Sequence, residues 1–262
     1  MTGTTDGLAG VLAKAERDGV AVSRPEGLDV DGAYAVQSAL LAARVAQGER
    51  LVGVKLGFTS LAKMAQMGVD EIIVGFLTDA HEVADGGELF TSGLIHPRVE
   101  PEVAFRLDRD VDAAKEGPEG LLAAVGAVAP ALEVIDSRYA NFRFSLPDVI
   151  ADNTSACRFA VGPWSPIPDG LAALDVALLL DDEVVASGST GAILGDPLEA
   201  LRRLPALAAR YGHPLKAGTV ILAGAATEAV PLPTGTRVTV KVAGLGEASL
   251  HTAPSNAEGV SA

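Results

Sequence analysis

Val99-Glu100-Pro101-Glu102-Val103-Ala104-Phe105-Arg106-Leu107 alternates along its length, with Val99, Val103 and Phe105 on one side and Glu100, Glu102 and Ala104 on the other. A period of two marks a strand. It also sets two carboxylates on one face, about 6 to 7 Å apart. The same period recurs upstream in 51–58, where Val52, Val54 and Leu56 oppose Gly53, Lys55 and Gly57. Further strands are predicted at 131–135, 176–180, 183–187, 220–222, 237–242 and 248–251, with Asp181-Asp182 as a hairpin turn. Strands gathered in series, not in strict alternation with helices, predict an α+β domain on a mixed or antiparallel sheet.

Helices are predicted around this sheet. Residues 5–18 carry Leu8, Val11, Leu12 and Ala15 at helical spacing between a capping Thr5 or Asp6 and Gly19. A second helix is expected over 31–47, capped by Asp31 and ended by a left-handed Gly48. Others are expected over 60–67, 118–128 and 197–211, the last opened by Asp196 and Pro197, with Pro205 a candidate kink. Residues 1–50 thus form an N-terminal helical segment, 51–252 a sheet-rich domain and 253–262 a loose tail.

The chain has 262 residues, 48% apolar and 21% charged, which excludes a disordered or collagen-like polymer. Lys and Arg total 20 against 34 Asp and Glu, a net charge of −14, the wrong sign for a nucleic-acid partner. An acidic protein that takes an anionic substrate needs a local cation. Cys157 is the single cysteine, so no internal disulfide or thiol metal cluster can form. With no run long enough to span a bilayer and no signal-like start, a cytoplasmic protein without a membrane partner is expected.

Glu100 and Glu102 have a third acid to join in Glu133, which sits in the apolar run Pro130-Ala131-Leu132-Glu133-Val134-Ile135. A buried carboxylate without a partner costs several kcal/mol, so Glu133 requires one. Three carboxylates with sites left for water and substrate suit Mg²⁺ or Mn²⁺; zinc would call for Cys or His ligands. A Glu-x-Glu strand is commonly just a solvated face. Lys55, between two glycines, can meet an anion on a bare strand face or stand there as an exposed lysine. Asp79 follows an apolar run and is either a proton carrier or a turn-closing residue. Gly188-Ser189-Thr190-Gly191 is a weak anion cradle, and 148–155 offers hydroxyls and amides that orient an acid or cap a loop. Four scattered histidines and no Gly-x-Ser-x-Gly elbow argue against a histidine metal site and serine hydrolysis.

Five ordered motifs carry a family resemblance: Val54-Lys55-Leu56-Gly57-Phe58-Thr59-Ser60, Met67-Gly68-Val69-Asp70, His96-Pro97-Arg98-Val99-Glu100-Pro101-Glu102-Val103-Ala104-Phe105, Ala131-Leu132-Glu133-Val134-Ile135-Asp136-Ser137-Arg138 and Ala151-Asp152-Asn153-Thr154-Ser155. Together, over 5–252, they resemble the hydratase and decarboxylase family of meta-cleavage pathways, a branch of the fumarylacetoacetate hydrolase superfamily. The resemblance implies a mixed β-sheet roll or barrel of the fumarylacetoacetate hydrolase C-terminal-domain type with an N-terminal helical part. It implies Mg²⁺ or Mn²⁺ held by Glu100, Glu102 and Glu133, catalysis by Lys55 and Asp79, and substrate contacts from Ser155, Ser60 and Thr190. It also implies a homo-oligomer and a complex with a partner hydratase. The implied reaction is decarboxylation of 2-oxo-3-hexenedioate, and the alternative is hydration of 2-hydroxypenta-2,4-dienoate. A decarboxylase must accept a second carboxylate, for which Arg98, Arg138 and Arg143 are the candidates.

Overall fold

In the computed structural model, which describes residues 2–60, 64–65 and 68–254, two mixed sheets form the body of the protein. The larger contains β1 (Leu51–Gly57), β2 (Ile73–Thr78), β4 (Arg98–Leu107), β5 (Val125–Ile135), β6 (Ala156–Val161), β9 (Val220–Ala225) and β10 (Val230–Pro231). Its order is β2-β1-β9-β4-β5-β6, with β10 paired to β4. The smaller joins β3 (Gly87–Phe90), β7 (Asp175–Leu180), β8 (Glu183–Ser189), β11 (Arg237–Val242) and β12 (Gly246–Ala253) in the order β3-β12-β11-β7-β8. β1 with β9 and β3 with β12 run parallel; the other pairs are antiparallel. The expected α+β class with a mixed sheet is therefore what the chain adopts.

The larger sheet is rolled into a half-barrel. Two strands, β9 and β4, separate β1 from β5, and a flat sheet would hold those two about 14 Å apart. Lys55 on β1 nevertheless lies 2.9 Å from Glu133 on β5. The concave face carries Lys55, Glu102 and Glu133 above a small apolar cluster of Leu77, Ala104, Ala131, Ala156, Phe159 and Leu222. Alanines at 104 and 131 take little room, which lets the inner faces approach. On the convex side Val54, Leu56, Val103, Phe105, Leu132 and Val134 enter the main core.

α1 (Thr2–Asp18) and α2 (Val30–Ala46) contribute Leu12, Tyr34, Val36 and Leu40 to that same core. They also manage the free edge of β2, whose unpaired backbone groups need partners. The Val74 N–H donates to Tyr34 Oη at 3.2 Å, and Gln37 Nε2 donates to the Val74 and Ile150 carbonyls at 3.0 Å each. One step along, Asn153 does the same for Phe76: its Oδ1 accepts from Phe76 N at 2.8 Å and its Nδ2 donates to Phe76 O at 3.0 Å. This amide pair ties the segment leading into β6 onto β2, so side chains complete the closure that the backbone leaves open.

α3 (Ala113–Leu122), α4 (Leu146–Ala151) and α5 (Pro197–Tyr211) complete the helices used below. α5 follows its sequence signals: Asp196 accepts from Leu198 N at 2.9 Å, Gly212 ends it at φ 78°, and the helix continues through Pro205. Elsewhere boundaries moved. α1 begins at Thr2, placing Thr5 and Asp6 inside it instead of at its cap. Asp29, not Asp31, caps α2, accepting from Gly32 N at 2.7 Å, and Gly48 is left-handed as expected, at φ 98°. The helix expected over 118–128 stops at Leu122, and 125–128 instead begins β5, because Ala127 and Val128 are buried against neighbouring strands. β2, β3, β6 and β10 lie outside the strands predicted from the sequence; β6 is largely buried and shows no alternation. Asp181 and Asp182, at φ 47° and 69°, make the expected tight hairpin turn. Most of the helix expected over 60–67, with Met67, and the tail beyond 254 lie outside the described residues.

Candidate metal centre and substrate site

β4 and β5 pair antiparallel with Glu100 directly opposite Glu133 and Glu102 opposite Ala131. That register, fixed by apolar residues on the other face, places three acids together on the concave surface. One carboxylate oxygen from each of Glu100, Glu102 and Glu133 lies within 4.8 Å of the others. Glu102 and Glu133 are buried and Glu100 is half-buried. Like charges facing each other across a ladder destabilise it. The cation beside them, Lys55, is 4% exposed and pairs with Glu133. The two buried carboxylates, Glu102 and Glu133, against the one ammonium of Lys55 leave a formal excess of negative charge.

Burial and the neighbouring Glu133 hold the Glu102 carboxyl well above its ordinary range, although Lys55 pulls the other way. Burial lowers the Lys55 pKa, but Glu133, Glu100 and Glu102 outweigh it, so the net shift is upward and the ammonium stays charged. Glu102 Oε2 accepts from Gly224 N at 2.8 Å, whereas Glu102 Oε1 and Glu133 Oε1 are buried without a hydrogen-bond partner. Buried oxygens without donors are rare in folded proteins. A hard divalent cation satisfies them, cancels the excess charge and matches an all-oxygen donor set. The residues present therefore fit Mg²⁺ or Mn²⁺.

The bare strand face expected around Lys55 is not bare. A Cβ at Gly53 would sit 2.3 Å from the Val220 carbonyl oxygen, and one at Gly57 would sit 2.8 Å from Ile73 Cγ1. The glycines admit neighbouring strands, and Lys55 is neither exposed nor free: it also donates to the Thr154 carbonyl at 3.2 Å. That carbonyl belongs to a turn in which Asn153, Thr154 and Ser155 all have positive φ, at 48°, 53° and 58°. The left-handed region costs roughly 1 to 2 kcal/mol per residue for non-glycine side chains. Asn tolerates it, but β-branched Thr154 does not do so readily.

Arg138 and Asp152 hold the turn in place. The Arg138 guanidinium donates to the carbonyl of Asp152, to that of Ala156 at 3.0 Å and to that of Asp136 at 2.8 Å. It also pairs with the Asp152 carboxylate, which accepts from Arg138 N at 2.9 Å and Ser137 Oγ at 3.2 Å. The turn is thus bonded at the residues on either side of it, Asp152 and Ala156. On β2, Gly75 leaves room for it, since a Cβ there would lie 2.3 Å from Thr154 Oγ1. The result is a buried Ser155 hydroxyl with no hydrogen-bond partner.

The structure brings Lys55, Glu100, Glu102 and Glu133 together, with Ser155 at the end of the adjoining turn. It does not bring Asp79 to them. Lys55 is paired with Gly75 on β2, and Asp79 lies four residues further on, about 13 Å along the strand. Its carboxylate accepts from Arg50 N and Nε, both at 2.9 Å, and the Arg50 contacts hold it below the usual carboxylate range. Thr190 is likewise committed elsewhere: its buried hydroxyl donates to Leu171 O and accepts from Leu174 N at 3.0 Å, closing the 171–174 turn. Ser60 stands half-buried beyond β1, its carbonyl accepting from Met64 N at 2.9 Å. Sequence reasoning missed Gly224, whose φ of 115° at a shift in the β4–β9 register aims its N–H at Glu102; a Cβ there would lie 1.8 Å from Thr59 Oγ1. A lone glycine in an apolar strand was its signal.

Residues 50–251 match the family model described as fumarylacetoacetate (FAA) hydrolase C-terminal. The chain belongs to this family. It is 47% identical over 227 residues to a 4-oxalocrotonate decarboxylase from Pseudomonas sp, covering 87% of this chain and 88% of that relative. It is 37% identical over 252 residues to 2-keto-4-pentenoate hydratase 1 of Dechloromonas aromatica (strain RCB), covering 94% and 96%. Among solved structures, 4-oxalocrotonate decarboxylase from Pseudomonas putida G7, complexed with magnesium and adipate, superposes with a TM-score of 0.90 at 37% identity, covering 96% of this chain and 98% of that one. The matched residues span the half-barrel, and α1 and α2 precede them. No helix among the described residues is long and apolar enough to cross a membrane.

Proposed function

We propose that this protein is a metal-dependent lyase that decarboxylates 2-oxo-3-hexenedioate to 2-hydroxypenta-2,4-dienoate and CO₂. The substrate's leaving carboxylate is joined through C5 and a C3=C4 double bond to the 2-oxo group. When the C5–C6 bond breaks, its electron pair forms C4=C5, the former C3=C4 pair shifts to C2=C3, and the 2-oxo oxygen takes the charge. Mg²⁺ held by Glu100, Glu102 and Glu133 supplies Lewis-acid polarisation of the 2-oxo acid end. Lys55, kept cationic by those acids, presents positive charge where the enolate oxygen develops. Thr154 O fixes the ammonium, and the unpartnered Ser155 hydroxyl is a ready donor to the 1-carboxylate. The apolar floor of Leu77, Ala104, Ala131 and Leu222 keeps water from the carbanionic carbon.

The observation that carries the choice of substrate is the relative solved with magnesium and adipate, a six-carbon diacid of the same length as the enedioate. Purified protein loaded with Mg²⁺ is expected to release one CO₂ per enedioate consumed, and EDTA is expected to stop it. Water addition to the dienoate without CO₂ release from the enedioate would instead assign the protein to the hydratases, which the relative from Dechloromonas aromatica represents.

A further inference from the structure

Exposure rises along β4 from buried Glu102 through half-buried Glu100 to exposed Arg98, which is the direction in which a linear diacid bound by one end at the three acids would reach solvent. The β4–β5 ladder is in register from Arg98 through Arg106, so Arg98, Glu100 and Glu102 alternate onto one face. Arg98 is the outermost of the three and is exposed. Two strand residues separate Cα atoms by about 6 to 7 Å. A six-carbon chain, at about 1.5 Å per bond, spans about 6 Å between its terminal carbons. The two lengths agree.

The other arginines named from the sequence do not compete for this position. Arg138 is buried and bonded to Asp152, Asp136 and Ala156. Arg143, exposed just after the 140–142 turn, lies on neither β4 nor β5 and shares no strand face with Glu100, Glu102 and Glu133. Arg98 has no carboxylate partner among the described residues; its guanidinium lies 5.5 Å from the Phe142 ring centroid and reaches Ala229 O at 3.4 Å. Phe142 also packs against His96 at 5.2 Å. An arginine backed by an aromatic ring keeps its forked donors aimed outward, suited to a carboxylate.

The geometry points to Arg98, supported by Phe142, as the receptor for the distal carboxylate of a linear six-carbon 2-oxo diacid, making it a specificity-determining residue. This deepens the decarboxylase reading and rests on it. The contact is made to the intact substrate and weakens as the carboxylate becomes neutral CO₂. It belongs to ground-state binding, so its loss should raise KM without lowering kcat, which rises to the extent that the contact is lost before the transition state.

The test uses two unreactive ligands, 2-oxohexanedioate and 2-oxohexanoate, titrated by calorimetry into the Mg²⁺-loaded protein and into Arg98→Met. The native protein should prefer the diacid by about tenfold or more, in keeping with a charge-assisted hydrogen bond. Arg98→Met should lose that preference, bind the monoacid within about twofold of native, and titrate with Mg²⁺ as before. Arg98→Lys should retain part of the preference, and decides the matter should Arg98→Met fail to bind Mg²⁺. Native-like diacid preference in Arg98→Met would overturn the assignment. Absence of the preference in a native protein that still releases CO₂ from the enedioate overturns it alone. A native protein that releases no CO₂ overturns the reaction as well.

Discussion

Two buried charge clusters flank the 153–155 turn, and they are built oppositely. Arg138 with Asp152 is closed: one charge of each sign, with the guanidinium and the carboxylate supplied with hydrogen-bond partners from the chain itself. Glu100, Glu102 and Glu133 with Lys55 are open, carrying excess negative charge and two carboxylate oxygens without partners. A closed cluster fixes conformation, because removing either member strands a charge. An open one holds a place for something from outside. The protein uses the first to shape the second, since the turn that Arg138 staples presents Thr154 O to Lys55.

The largest test of this contrast is Arg138→Met, expected to destabilise by about 3 to 5 kcal/mol by urea unfolding, through the unpaired Asp152 and the released turn. A loss below 1 kcal/mol would mean that the closed cluster holds nothing. Next is the metal. Mg²⁺ at a hundred times its Kd is expected to stabilise the native protein by about 2.7 kcal/mol, and Glu102→Gln to abolish that increment. An equal increment in the variant would remove Glu102 from the site.

A pH effect of about 2 kcal/mol follows from His81, which burial, with help from Arg44, pushes down to about 3. The unfolded chain binds this proton near pH 6.5 and the folded protein refuses it, so the contribution is present above pH 6.5 and declines as pH falls through the window to about 3. Unfolding free energies at pH 7 and pH 5 should differ less in His81→Gln than in the native protein. Smallest is the metal-free stability of Glu102→Gln, expected to equal or exceed the native value by up to about 1 kcal/mol as repulsion is relieved. A substantial loss in EDTA would show the triad to be closed after all.

Much of this was legible in the chain. The alternation of 99–107 gave both the strand and the shared face of Glu100 and Glu102, because a pleated strand leaves no other choice. Glu133 stood out through its apolar surroundings, and Asp196 and Pro197 opened α5 by local chemistry alone. Asp79 and Thr190 were misplaced for one reason: a polar residue at a strand end or in a glycine-rich turn looks the same whether it faces a ligand or Arg50 and Leu171. Lys55 looked as though it stood on an open face because nothing local reveals that β9 and β2 fill the space beside its two glycines.

The sequence alone determined which side chains share a strand face, since that depends on a period of two, and which charges the chain owns. Only the tertiary structure decided which of them meet. Rolling the sheet set Lys55 against Glu133 across two intervening strands, and a left-handed turn, held by an arginine that takes no part in the chemistry, put a carbonyl on that lysine. Contacts between residues far apart along the chain follow from curvature and closure, which are properties of the whole sheet and not of any one strand.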